Sequence, residues 1–217
     1  MERAKMQATV LAGMIGRAVG EALSSAKNID KPATNGGIDS KLLMELAFTS
    51  FFGNLGEKER YLLVTENTAL RYATEVELLG YYLGISFIMK LLDGENPALA
   101  YQKVKQECLI RFSDGARRAY HRVLQGEITV YDHTCICPSG CTQDTLEASL
   151  WCLLTTRSYK EAILKAANLE GDSSIVGAIT GLTAGIYYGI DAIPQKWAER
   201  VEDDIDDGWL EKVPLTL

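Results

Sequence analysis

Eighteen consecutive residues, Ser173 to Ile190, carry no charge, and four of them, Gly177, Gly181, Gly185 and Gly189, stand four apart. A spacing of four puts these glycines on one stripe of an α-helix, where a second helix can bring its backbone close. The run just reaches the length, about 18 apolar residues, at which a membrane-spanning helix becomes a candidate. Its content argues otherwise. Two Ser, two Thr and two Tyr join the glycines in diluting its hydropathy, and Asp172 and Asp191 flank it with no aromatic belt or positive bias. The sequence therefore predicts a buried central helix and no membrane association.

Helical periodicity continues through the rest of the chain. Apolar and small residues recur at three and four spacing over 8–23 and 42–52, and 76–92 is apolar nearly all round. Asn96 and Pro97 read as a cap and first residue opening one long helix over 98–124, with Gly126 as its stop. Two further helices are expected over 144–155 and 159–169, and Pro194 opens a short one through Arg200. Only Ile128–Tyr131 carries a strand signal, too short to make a sheet. Irregular stretches are expected at 26–38, 52–59 and 132–142. The fold class is all-α, a single-domain helical bundle over residues 1–217 with the glycine-striped helix at its centre.

Composition narrows the partners. With 22 basic against 29 acidic residues the formal net charge is −7, and no basic run supplies a footprint for a phosphate backbone, so nucleic acid is not expected. Five cysteines do not read as a disulfide framework, and no long apolar segment follows the first residues as a leader would require. A reducing, cytoplasmic location is the expectation. The sequence leaves the oligomeric state open.

Four segments carry a more specific pattern. Gly13 to Ser24 reads GMIGRAVGEALS, close to GxxxGxAxGDALG with Glu21 for Asp. Residues 139–152 read SGCTQDTLEASLWC against SGYVVDTLEAALWC, and 168–175 read NLEGDSSI against NLGGDTDT. The glycine-striped helix then runs into Tyr187-Tyr188-Gly189 and on to Pro194 and Trp197, as in YYGLEAIPxxW. Together these resemble the ADP-ribosylglycohydrolase family, all-α hydrolases that release ADP-ribose from modified acceptors such as arginine or serine with a pair of magnesium ions.

The resemblance implies where the metals and ligand would lie. The family's TDDT motif falls on Gly37-Ile38-Asp39-Ser40 and its DxDT motif on Asp172-Ser173-Ser174-Ile175, so each motif keeps one carboxylate of two. Hard cations need several oxygen ligands, and two need clustered carboxylates. Asp39, Ser40, Asp172 and Ser174 therefore offer at most a single weakly held, water-rich Mg²⁺, and no dinuclear cluster is expected. The family's NGxxMR segment has no counterpart between Phe51 and Tyr72, and its TH pair reads Thr74-Glu75. Glu21 and Asp39 stand as remnant catalytic carboxylates. Ser139, Gly140, Gly171, Asp172, Ser173 and Ser174 are candidates for holding the phosphates or ribose of an ADP-ribose-type ligand, since small residues at helix N-termini admit close anion approach.

Plainer roles stand beside these. Asp39 and Asp172 suit helix caps, and Glu21 suits an ion pair with a nearby cation. His133, Cys135, Cys137 and Cys141 crowd into nine residues without the spaced CxxC turns of common zinc sites, which favours a loop of partly buried thiols, with Cys108 and Cys152 in core helices. The acidic run Glu202–Asp207 lacks the glycine and terminal glutamate of a calcium loop. The leading expectation is an impaired or inactive family member that still binds an ADP-ribose-type ligand or an ADP-ribosylated protein. The alternatives are an active hydrolase with a single-metal site that cleaves the ADP-ribosyl bond, and a structural or partner-binding protein.

Overall fold

The structure, a computed structural model, describes residues 3–26, 37–171 and 173–201. Among these residues the regular structure is helical and no strand occurs. The helices are α1 (Arg3–Ser25), α2 (Ser40–Phe52), α3 (Glu57–Thr65), α4 (Glu75–Leu92), α5 (Pro97–Arg111), α6 (Asp114–Ala119), α7 (His121–Leu124), α8 (Thr142–Leu154), α9 (Tyr159–Ala167), α10 (Ser173–Tyr188) and α11 (Gln195–Ala198). No described helix is long and apolar enough to cross a membrane.

The glycine-striped segment is α10, and the partner its stripe admits is α1. The two helices run antiparallel and touch backbone to backbone. A Cβ on Gly20 would lie 1.9 Å from the Gly177 carbonyl oxygen, and one on Gly181 would lie 1.9 Å from that of Gly16. No side chain fits such a gap, so both faces require glycine. The Tyr159 hydroxyl from α9 donates to the Gly16 carbonyl at 3.3 Å, which ties a third helix to the crossing. α8 and α9 pack on α10, and α4, buried on every side from Leu79 to Met89, packs against α2, α3, α5 and α8.

Four sequence expectations need correction, one of them Gly189, which lies past the end of α10 with φ +83° and so falls outside the expected stripe. The single helix expected over 98–124 is broken at Phe112 and Ser113, because Ser113 caps α6 and is itself fixed from another helix. Its N–H and hydroxyl donate to Glu75 of α4 at 2.9 and 2.5 Å. The loop expected at 52–59 gives way at Glu57 to α3, whose inward positions are Arg60 and Val64. The strand signal at Ile128–Tyr131 forms a single 3₁₀ turn, Ile128–Val130, with Ile128 wholly buried.

Arg60 belongs to a buried ionic cluster. Its guanidinium donates to Glu107 of α5 at 3.0 Å, to the Ser86 hydroxyl of α4 at 3.2 Å and to the Leu55 carbonyl at 3.0 Å. Lys90 reaches the other Glu107 oxygen at 2.8 Å, and the Tyr82 hydroxyl donates to Glu107 at 3.2 Å. Burial pushes the Glu107 carboxyl up, but Lys90 and Arg60 outweigh it and hold the group below the ordinary carboxylate range. Burial, reinforced by the Glu107 charge, pushes the Tyr82 phenol up to about 12.

Candidate functional site

The early and late motif segments are far apart in the chain and come together through backbone contact. A Cβ on Gly37 would lie 2.4 Å from the Gly140 carbonyl oxygen, and one on Gly171 would lie 2.2 Å from that of Pro138. Gly171 also has φ +103° and Gly140 φ +89°, a region that favours glycine. Residues 37–40, 138–141, 171 and 173–175 are therefore brought together. The N-termini of α2, α8 and α10 open beside them. Antiparallel pairing with α10 sets the Glu21 end of α1 level with the first turn of α10.

Asp39 is the N-cap of α2. Its Oδ1 accepts from the Lys41 and Leu42 amides at 2.8 and 3.2 Å, and its own N–H donates to the Tyr81 hydroxyl at 2.9 Å. Burial raises the Tyr81 phenol above its ordinary value, and the Asp39 charge adds to the rise. Ile38 is wholly buried in the main core and Ser40 is 8% exposed. In the late segment Ser173 is wholly buried, Ser174 is half-buried, and Ile175 packs against the main core. Ser139 is exposed, with its hydroxyl accepting from the Cys141 amide at 3.3 Å, and Gly140 is buried.

Glu21 is partly exposed and paired one turn back with the buried Arg17 at 2.6 Å. Asp172 lies outside the described residues, as do most of the irregular stretch expected at 26–38 and the whole acidic run 202–207. Among the described residues no three His, Cys, Asp or Glu side chains gather as metal ligands. The thiols of the 133–141 loop are more open than expected. Cys135 and Cys137 are exposed and Cys141 is half-buried, whereas Cys108 and Cys152 are core residues as the sequence indicates.

Two features near the surface carried no sequence signal. The Tyr120 hydroxyl is buried without a hydrogen-bond partner, 2.4 Å from where a Cβ on Gly80 would sit and beside the start of α8. Burial holds its phenol well above the ordinary value. The other is a polar cavity of about 180 Å³ lined by Arg122, Cys135, Ile136, Cys137, Asp144 and Glu147. Burial raises the Glu147 carboxyl even though Arg122 bonds it, and Asp144 adds to the rise.

Residues 2–217 match the model of the ADP-ribosylglycohydrolase family. The chain belongs to that family. ADP-ribosylarginine hydrolase Tri1 of Pseudomonas putida (strain GB-1) is 44% identical over 63 residues, 29% of this chain and 17% of that protein. The ADP-ribosyl-[dinitrogen reductase] glycohydrolase of Rhodospirillum rubrum is 30% identical over 63 residues, 29% of this chain and 21% of that protein. The chain thus spans about a fifth of the length of the curated relatives it matches. A solved structure titled ADP-ribosylglycohydrolase-related protein complex superposes with a TM-score of 0.65 at 19% identity, covering 98% of this chain and 99% of that one. The all-α architecture of this ADP-ribosylglycohydrolase-family chain is therefore shared along its whole length.

Proposed function

We propose that this chain is a catalytically impaired ADP-ribosylglycohydrolase, a single domain over residues 1–217 that keeps a pocket for an ADP-ribose-type ligand. One observation carries the reading. Where the family pattern has a second carboxylate, Ile38 is wholly buried in the core, and the remaining Asp39 has one of its two carboxylate oxygens, Oδ1, engaged by two α2 amides. A hard cation needs several free oxygen ligands, and a pair of them needs several carboxylates. The residues present do not fit a dinuclear magnesium cluster. They offer at most one water-rich ion from Asp39, Ser40, Asp172 and Ser174.

Ligand binding is supported by the surface that Gly37, Gly140 and Gly171 build, since glycine backbones and helix N-terminal amides suit a diphosphate. The five cysteines are all free thiols, which suits a reducing cytoplasm. Calorimetric titration with ADP-ribose, with and without Mg²⁺, is expected to give the same binding heat in both. Absence of heat in either condition would end the pocket proposal.

A second reading is favoured by the 44% match to a relative named an ADP-ribosylarginine hydrolase. Here Asp39, Asp172 and Glu21 would hold one ion or a water against the anomeric carbon, and the partner would be an ADP-ribosylated protein. Incubation with an ADP-ribosylarginine peptide separates the two. The impaired reading requires unchanged peptide at high protein concentration, and release of ADP-ribose would establish the hydrolase instead.

A further inference from the structure

The cavity beside the first turn of α8 is lined by residues outside those assigned to that function. Two free thiols face it together, Cys135 and Cys137. Ile136 between them has extended backbone, φ −106° and ψ 104°, and an extended residue sends its two neighbours to the same face. The Ile136 side chain joins Trp151, Cys152 and Leu169 in a small core, leaving the two thiols exposed. Two extended residues separate Cα atoms by at most about 7 Å, the edge of the range a disulfide spans.

The loop is fastened beside the cavity. Arg122 donates to the Cys135 carbonyl and to Glu147, each at 2.8 Å, fastening the dithiol segment to α7 and α8. Glu147 also meets the Arg122 charge, at 2.6 Å, so Asp144 leaves the cavity net negative. A small disulfide carrying ammonium groups matches that charge better than one carrying carboxylates.

We propose that Cys135 and Cys137 form a reversible dithiol–disulfide pair that exchanges with small aminothiol disulfides entering this cavity. One cysteine, as the thiolate, attacks a sulfur of the small disulfide. A protein–aminothiol mixed disulfide forms and the first aminothiol leaves as its thiolate. The second cysteine gives its proton to solvent and attacks the protein sulfur of the mixed disulfide, forming the Cys135–Cys137 bond and releasing the second aminothiol. The protein is oxidised by the loss of two hydrogens, and the small disulfide is reduced to two thiols. The closed ring ends one residue from Pro138, whose carbonyl packs on Gly171.

The test equilibrates the full chain with cystamine and cysteamine, blocks remaining thiols by alkylation and reads intact and peptide mass. Wild type is expected to lose two hydrogens, with the link mapped between Cys135 and Cys137. Cys135→Ser and Cys137→Ser are each expected to stop at one attached cysteamine. Asp144→Asn is expected to lower the rate ratio of cystamine to oxidised glutathione about threefold, as removal of one partly exposed charge should. Persistent cysteamine on both thiols of wild type, or a link to Cys141 in place of the mapped pair, overturns the proposal. An unchanged rate ratio overturns the assignment of aminothiols as the class.

Discussion

Asp39 does at residue scale what an aspartate before a helix commonly does, and that role has a measurable size. Losing the cap in Asp39→Ala is expected to cost about 1 kcal/mol, while Asp39→Asn, an equally good cap, should cost almost nothing. Chemical denaturation of the two variants checks this, and equal losses would mean the charge acts beyond the cap. Glycines divide just as clearly. Gly20→Ala would press a methyl against the Gly177 carbonyl, a backbone atom that cannot swing aside, and is expected to cost about 3 kcal/mol. Gly115→Ala, at a helical position where the nearest atom would be the Ser113 hydroxyl 3.6 Å away, is expected to gain about 0.5 kcal/mol. If both alanines are tolerated alike in thermal unfolding, the α1–α10 crossing is looser than its geometry requires. The stripe of Gly177, Gly181 and Gly185 was legible in the sequence as a close-approach face, whereas Gly189, read as its fourth member, lies past the end of α10 with φ +83° and open space around it. The stripe's partner on α1 was not legible, because nothing local to Gly16 and Gly20 names the helix they face.

At the scale of elements, helices with apolar periodicity were legible, and those held by charges were not. The motif segments at 37–40, 139–152 and 168–175 were readable through the family pattern, which also implied that the first and last share a site, but the contacts at Gly37 and Gly171 were not, since they set carbonyl against glycine and leave no apolar signature. α3 escaped notice because one of its inward residues is Arg60, which reads as polar in any hydrophobic pattern. The break before α6 was invisible because Glu75, which fixes Ser113, lies 38 residues earlier. The Arg60–Glu107–Lys90 cluster that joins α3, α4 and α5 likewise has no local signal. Breaking it by Glu107→Gln leaves the buried Arg60 and the partly buried Lys90 short of their counter-ion, and a loss of about 3 kcal/mol at neutral pH is expected. The pH dependence follows from the lowered Glu107 carboxyl. Its stabilisation is complete above the ordinary carboxylate range and is lost as pH falls through the lower folded value. Wild type should therefore lose stability on acidification more steeply than Glu107→Gln. Denaturation curves collected from neutral to acid pH test it, and parallel slopes for the two proteins would falsify the assignment.

For the whole molecule, the decisive fact is that α1 and α10 touch backbone to backbone across more than 140 residues of intervening chain. Nearly all the remaining helices can form from local contacts, but α10 cannot bury its glycine face without α1. Contacts this distant in sequence form only after a large loop closes, so α10 should stay exposed until α1 docks. A chain beginning at Gly37 is accordingly expected to keep much of its helical circular dichroism while losing cooperative unfolding and binding a hydrophobic dye, the marks of a collapsed state without fixed packing. A peptide spanning Arg3 to Ser25, added in trans, should restore the cooperative transition, because it returns the one surface that matches the stripe. The same peptide carrying Gly16→Ala and Gly20→Ala should fail, since both methyls would meet carbonyl oxygens of α10. Cooperative unfolding of the shortened chain alone would show that α10 finds another cover, and the antiparallel pair would then be an addition to the fold and not its centre.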